Sequence, residues 1–149
     1  MCGIVSIHSS GICLQDSEGI LDKMMQRIIH RGPDGEGKIY IPRQVLLGHR
    51  RLAIIDLEHG QQPMISACGR YSLIFNGEIY NYLELRQNMI QQGAKFKTVS
   101  DTEVLLQLLI RYGAKGLDQI NGMFAFVFHD SVKNEWLAVY RKLLDGDVP

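Results

Sequence analysis

Apolar residues recur at every fourth position between 18 and 29, with Ile20, Met24 and Ile28 forming one row and Leu21, Met25 and Ile29 the next. That spacing keeps a hydrophobic stripe on one side of a helix, so an amphipathic helix is expected over about 18–29. Upstream, residues 4–8 are short and apolar and read as a strand. Downstream, Arg31-Gly32-Pro33-Asp34-Gly35-Glu36-Gly37 reads as a loop from its Gly and Pro content. Strands are expected near 38–41, 45–55 and 71–75, and a second helix over about 82–92, starting after Asn81 and stopped by Gly93. Lys95–Thr98 reads as a short strand. Ser100-Asp101-Thr102-Glu103 has capping-box spacing ahead of Val104, Leu105, Leu108 and Leu109, which predicts a helix over about 101–112 closed by Gly113. Two β-rich runs, 123–128 and 135–140, flank His129–Asn134 as the arms of a hairpin. Strands at both ends with helices between them imply sheets covered by helices, an α+β layered domain. The pattern leaves the strand order open.

Composition narrows the class. A chain of 149 residues fits one domain, which buries about two-thirds of its unfolded surface. Sixteen basic and sixteen acidic residues cancel, so neither nucleic acid nor an anionic membrane is an expected partner. No apolar run approaches the roughly 18 residues of a membrane span, and no basic segment precedes an apolar one at the N-terminus as in a secretory signal. Three cysteines, Cys2, Cys13 and Cys68, are odd in number and irregular in spacing. That fits a reducing, cytoplasmic setting and no disulfide framework. The five histidines lack metal-ligand spacing, so no metal centre is expected.

Candidate chemistry begins at Cys2. Trimming of Met1 would leave a thiol and a free α-amine on one residue. The amine titrates near about 7.7–8.0, so part of it is an unprotonated base at neutral pH, and a thiol is nucleophilic as its thiolate. Nucleophile and base then share one residue, the logic of N-terminal nucleophiles. The alternative is a cysteine that packs as a small hydrophobe. Asn76-Gly77, between apolar segments, reads first as a hairpin turn, and second as an amide and a backbone N–H aimed at an oxyanion. Arg50 and Arg51 point to opposite faces if they lie on a strand. One of them would then turn inward, toward a substrate carboxylate or an internal acid such as Asp56 or Glu78. Asp101, in a first helical turn, is favoured there by the helix dipole. It is also placed to meet a substrate ammonium, as is Glu78. Arg31 and Asp34 most simply brace their glycine-rich loop.

The order of these signals is more specific than any one of them. Met-Cys-Gly-Ile at 1–4, His-Arg-Gly-Pro-Asp-Gly at 30–35 and Gly-His-Arg-Arg-Leu-Ala-Ile-Ile-Asp at 48–56 come first. Gln62-Pro63-Met64, Phe75-Asn76-Gly77-Glu78-Ile79-Tyr80-Asn81, Ser100-Asp101-Thr102-Glu103-Val104 and Asn121-Gly122-Met123-Phe124-Ala125-Phe126 follow. The succession resembles the class II glutamine amidotransferase domain of glutamine-hydrolysing asparagine synthetases, over residues 1 to about 140. The resemblance implies an N-terminal-nucleophile hydrolase fold, a four-layer αββα sandwich of two antiparallel sheets. It implies that Cys2 attacks the side-chain amide of L-glutamine to form a thioester that water resolves. Asn76 and Gly77 would form the oxyanion hole, and Arg51 would hold the substrate α-carboxylate. Asp101 and Glu78 would take its α-ammonium, while the backbone of Leu52, Ala53, Ile54 and Ile55 lines the pocket. It implies no cofactor for this step, with ATP and Mg required by a separate synthetase domain that accepts the ammonia.

Residues 142–149 depart from the family pattern. The expected organisation is therefore an amidotransferase domain over 1–141, incomplete at its C-terminus, then a non-family tail. The synthetase domain and the closing strands of the sandwich would be missing, leaving a free sheet edge through which an oligomer is conceivable. Two further readings stay open on sequence alone: a non-catalytic remnant that binds glutamine or a partner, and an amidotransferase domain serving another acceptor such as a surface sugar.

Overall fold

The computed structural model describes residues 2–8, 17–42, 44–52 and 60–142. Along the chain run β1 (Gly3–His8), α1 (Ser17–Arg27), β2 (Gly35–Ile41), β3 (Val45–Arg51), β4 (Met64–Ile65) and β5 (Tyr71–Ile79). Then come α2 (Tyr82–Gln91), α3 (Asp101–Tyr112), β6 (Gly122–Asp130) and β7 (Glu135–Arg141), with 3-10 turns at Ile29–Arg31 and Gly113–Gln119. Two antiparallel sheets result, in the orders β1-β3-β2 and β4-β5-β6-β7.

The period-two alternation of the strands stacks these elements into four layers. On β3, Leu46 faces α1, where Leu21 and Met25 pack with Val5 of β1. Val45 and Leu47 point the other way and meet Ile74 and Val127 of the second sheet. On β5, Leu73, Phe75 and Ile79 face α2 and α3, and join Phe124, Phe126, Leu105 and Leu109 in the largest core cluster. The order is thus α1, first sheet, second sheet, α2 with α3: two antiparallel sheets between helical layers, as expected. Each fully buried Leu or Phe contributes about 1.5–3 kcal/mol. The densest burial is under α3, so the start of that helix is firmly placed. No helix among the described residues is long and apolar enough to cross a membrane.

Several elements differ from the sequence expectation. Lys95–Thr98 forms no strand; the Lys97 and Thr98 amides donate instead to the Glu103 carboxylate, at 2.9 and 2.6 Å. The capping box is therefore one-sided. Ser100 Oγ accepts from Glu103 N–H at 3.3 Å, while the Glu103 side chain is spent on the preceding segment. The 18–29 helix stops at Arg27 and gives way to a 3-10 turn. Strand β2 begins at Gly35, inside the expected loop. The most consequential correction concerns Asn76-Gly77, which is no hairpin turn but the middle of β5. Gly77 lacks the positive φ such a turn needs. Its glycine is required by proximity: a Cβ there would collide with the Met123 carbonyl and with Phe124 of β6.

Candidate active site

Strand β5 carries the site because its partner β4 is only two residues long. Successive residues of a strand turn their N–H and C=O to opposite edges. Leu73 faces β4, opposite Met64. Two residues on, Phe75 N–H has no strand to meet and donates to Gln62 Oε1 at 2.6 Å. At the far end Ile79 N–H donates to Asp101 Oδ2 at 3.4 Å. Gly77 lies between them on the same edge, so its N–H points into the gap. That gap is a cavity of about 100 Å³, lined by Cys2, Arg51, Leu52, Asn76, Gly77, Glu78 and Asp101 together with His49 and Gln62.

Cys2 enters from the first sheet. The Leu52 N–H donates to its Sγ at 3.3 Å, and the thiol lies 3.6 Å from the Leu52 carbonyl oxygen. Arg31 Nε donates to the Cys2 carbonyl at 3.1 Å, and Asp34 N–H donates to the Arg51 carbonyl at 3.0 Å. The loop around Gly32 thus braces both Cys2 and Arg51, more than its own turn. Gly32 is required there, since a Cβ would strike the backbone of Arg50 and Arg51. The two arginines do part: Arg50 points toward α1, donating to the Met25 carbonyl at 3.2 Å and pairing with Glu36 at 2.8 Å. Arg51 turns to the cavity.

From the second sheet come Asn76, Gly77 and Glu78, and from α3 comes Asp101. Asn76 lines the cavity, and its Oδ1 is buried with no partner among the described residues. Asp101 is 7% exposed. Burial pushes its carboxyl up, with the Glu78 charge adding, against the N–H bonds from Ile79 and Thr102 that favour the anion. A carboxylate in that state is poised for an incoming cation. His49, 1% exposed, is pushed down to about 4 by burial, with the Arg51 charge adding, although a bond to the Phe75 backbone favours its protonation. It is therefore neutral at pH 7.

Of the expected site residues, the structure brings together Cys2, Arg51, Leu52, Asn76, Gly77, Glu78 and Asp101. Ala53, Ile54 and Ile55 lie outside the described residues, as do Cys13 and Asp56. His49, Gln62 and Thr102 also line the cavity and carried no sequence signal of their own beyond membership of the quoted motifs.

Residues 1–144 match the family model described as glutamine amidotransferase domain. Asparagine synthetase [glutamine-hydrolyzing] 1 of Bacillus subtilis (strain 168) is 44% identical over 129 residues, covering 85% of this chain and 20% of its own length. A probable asparagine synthetase [glutamine-hydrolyzing] of Schizosaccharomyces pombe is 41% identical over 141 residues, covering 93% of this chain and 24% of its own. Among solved structures, the glutamine phosphoribosylpyrophosphate amidotransferase of B. subtilis complexed with ADP and GMP aligns with a TM-score of 0.50 and 30% identity. That alignment covers 61% of this chain and 22% of the other. The chain spans about a fifth to a quarter of the length of the curated relatives it matches.

Proposed function

The chain belongs to the glutamine amidotransferase domain family, and from that premise we propose that its cavity hydrolyses the side-chain amide of L-glutamine to glutamate and ammonia. The observation that carries this reading is the meeting of Cys2 with Arg51, Asn76, Gly77 and Asp101 around one cavity. The Arg51 guanidinium takes the substrate α-carboxylate, and Asp101 with Glu78 takes the α-ammonium, which places the amide carbon over Cys2 Sγ. With Met1 removed, the α-amine of Cys2 accepts the thiol proton as sulfur attacks the carbonyl carbon. The electron pair moves to oxygen, where Asn76 Nδ2 and Gly77 N–H stabilise the anion. Collapse re-forms the C=O and breaks the C–N bond, with the α-ammonium returning its proton to the departing ammonia. Water then attacks the thioester carbon, the C–S bond breaks, and glutamate leaves with the thiol regenerated.

These steps draw on the named groups, the substrate and water, with no cofactor. The ammonia serves the ATP- and Mg-dependent conversion of aspartate to asparagine, on a synthetase domain such as the longer relatives carry or on a separate chain. The domain extends over residues 1–141, and the setting is the cytoplasm. The test is intact-mass spectrometry before and after treatment with an electrophilic glutamine analogue, alongside an assay of glutamate release. Loss of Met1, a single adduct absent from Cys2→Ala, and glutamine-dependent glutamate release are expected. Retention of Met1, or an adduct spread over Cys68 and Cys13, refutes the reading.

A further inference from the structure

The gap that exposes Gly77 N–H is bounded on one side by a side chain standing in for a strand. Gln62 Oε1 accepts the Phe75 N–H at 2.6 Å, as a β4 carbonyl would have done had β4 continued. Its Nε2 donates to Thr102 Oγ1 at 3.4 Å, beside Asp101 in the first turn of α3. Its backbone carbonyl sits so close to β2 that only glycine fits at position 37. The buried His49 lines the same cavity as Phe75 and Gln62. Phe75 immediately precedes Asn76 and Gly77, and the peptide it fixes sets where both of their donors point.

We propose that Gln62 is a positioning residue that clamps Phe75 and so aims the Asn76 amide and the Gly77 N–H at the reacting oxygen. Gln62 itself need not touch the substrate: its side chain is committed to Phe75 and Thr102. The clamp explains how a sheet edge stays open at Gly77 yet keeps its geometry, since the bond that β4 would have supplied comes from one side chain. This rests on the reading of the cavity as a glutaminase site.

The test substitutes Gln62→Met, which keeps length and bulk but loses the acceptor, with rates normalised to the fraction of Cys2 that the electrophilic glutamine analogue labels. The expected result is a kcat ten- to a hundredfold lower with KM within threefold, because the donors act on charge that develops after binding. In the Asn76→Ala background the same substitution costs less than a third as much, since one donor it aims is already gone. A loss carried by KM, an unchanged kcat, or an undiminished loss in the Asn76→Ala background overturns the proposal. Should Gln62→Met not fold, the isosteric Thr102→Val releases the anchor of the Gln62 amide and lowers kcat three- to tenfold. If the wild-type chain releases no glutamate, the glutaminase reading fails separately. The clamp is then judged by amide hydrogen exchange, where Gln62→Met speeds exchange at Phe75 at least tenfold, and an unchanged rate refutes it.

Discussion

Replacing Asp101 with Asn separates binding from folding within a single side chain. The carboxylate is 7% exposed, and its burial favours the protonated form. A folded-state pKa raised above the unfolded one contributes stability below the unfolded value and loses it as pH rises through the folded value. At pH 7 the buried Asp101 carboxyl is therefore a cost to the empty protein. Asn is isosteric and still offers an oxygen to Ile79 N–H, so the unliganded variant should melt at or above the wild-type temperature. Binding should move the other way. A hydrogen bond to a charged group is worth about 1.5–3 kcal/mol, so losing the contact to the substrate ammonium weakens glutamine affinity about 10- to 150-fold. At a ligand concentration of about a hundred times the wild-type Kd, glutamine stabilises the wild type by about 2.7 kcal/mol, and a variant bound a hundredfold more weakly by about 0.4 kcal/mol. For a domain of this size those energies correspond to shifts in Tm of about 8 °C and about 1 °C. The assay is differential scanning fluorimetry of both proteins, with Cys2→Ala in each so that substrate is not consumed. A full ligand-induced shift in Asp101→Asn refutes the assignment. A large fall in the unliganded Tm refutes the electrostatic reasoning.

Removing an oxyanion donor by Asn76→Ala should lower kcat about a hundred- to a thousandfold, as such donors do elsewhere, with KM changing little; steady-state glutamate release checks it, and an effect confined to KM speaks against the role. Far from the cavity, Arg70 donates to both carboxylate oxygens of Asp130, at 2.7 and 2.5 Å, and holds that acid down to about 2. A depressed carboxyl contributes stability above its unfolded pKa and loses it as pH falls through the folded one. Asp130→Asn should therefore melt lower than wild type at pH 7, and the difference should close between about pH 4 and pH 2 in a melting series.

Helix α3 was legible because its signals are local. Ser100 does cap Glu103 N–H, and Gly113, at φ 58°, stops the helix where the pattern does. The β6–β7 hairpin was legible for the same reason, with Ser131–Asn134 as its turn and Asn134 at φ 53°. Asn76-Gly77 was not, since the same dipeptide serves a turn or a close approach of strands. Only the nearness of Met123 and Phe124, 46 or 47 positions away along the chain, decides between them. Lys95–Thr98 misled because its amides find a side-chain acceptor that no periodicity announces. Strand β4, at two residues, is too short for a pattern, and with it went the signal for Gln62, whose task exists only because β4 stops. The site residues themselves were found through the order of their motifs. Composition and spacing left each of them ambiguous between a bracing and a binding role.

The layering divides the chemistry along the chain. Residues 3–51 hold the first sheet and α1, residues 64–141 hold the second sheet with α2 and α3, and the two blocks do not interleave. Cys2 and Arg51 belong to the earlier block, Asn76, Gly77 and Asp101 to the later. Neither block alone contains both the attacking sulfur and the donors that would receive the charge it creates. They meet across an interlayer seam of a few aliphatic side chains, Val45 and Leu47 against Ile74 and Val127. A small slide of one sheet over the other would carry sulfur away from its donors without breaking a single strand pairing, so the register of that seam, rather than the integrity of either half, sets whether the reacting groups face one another.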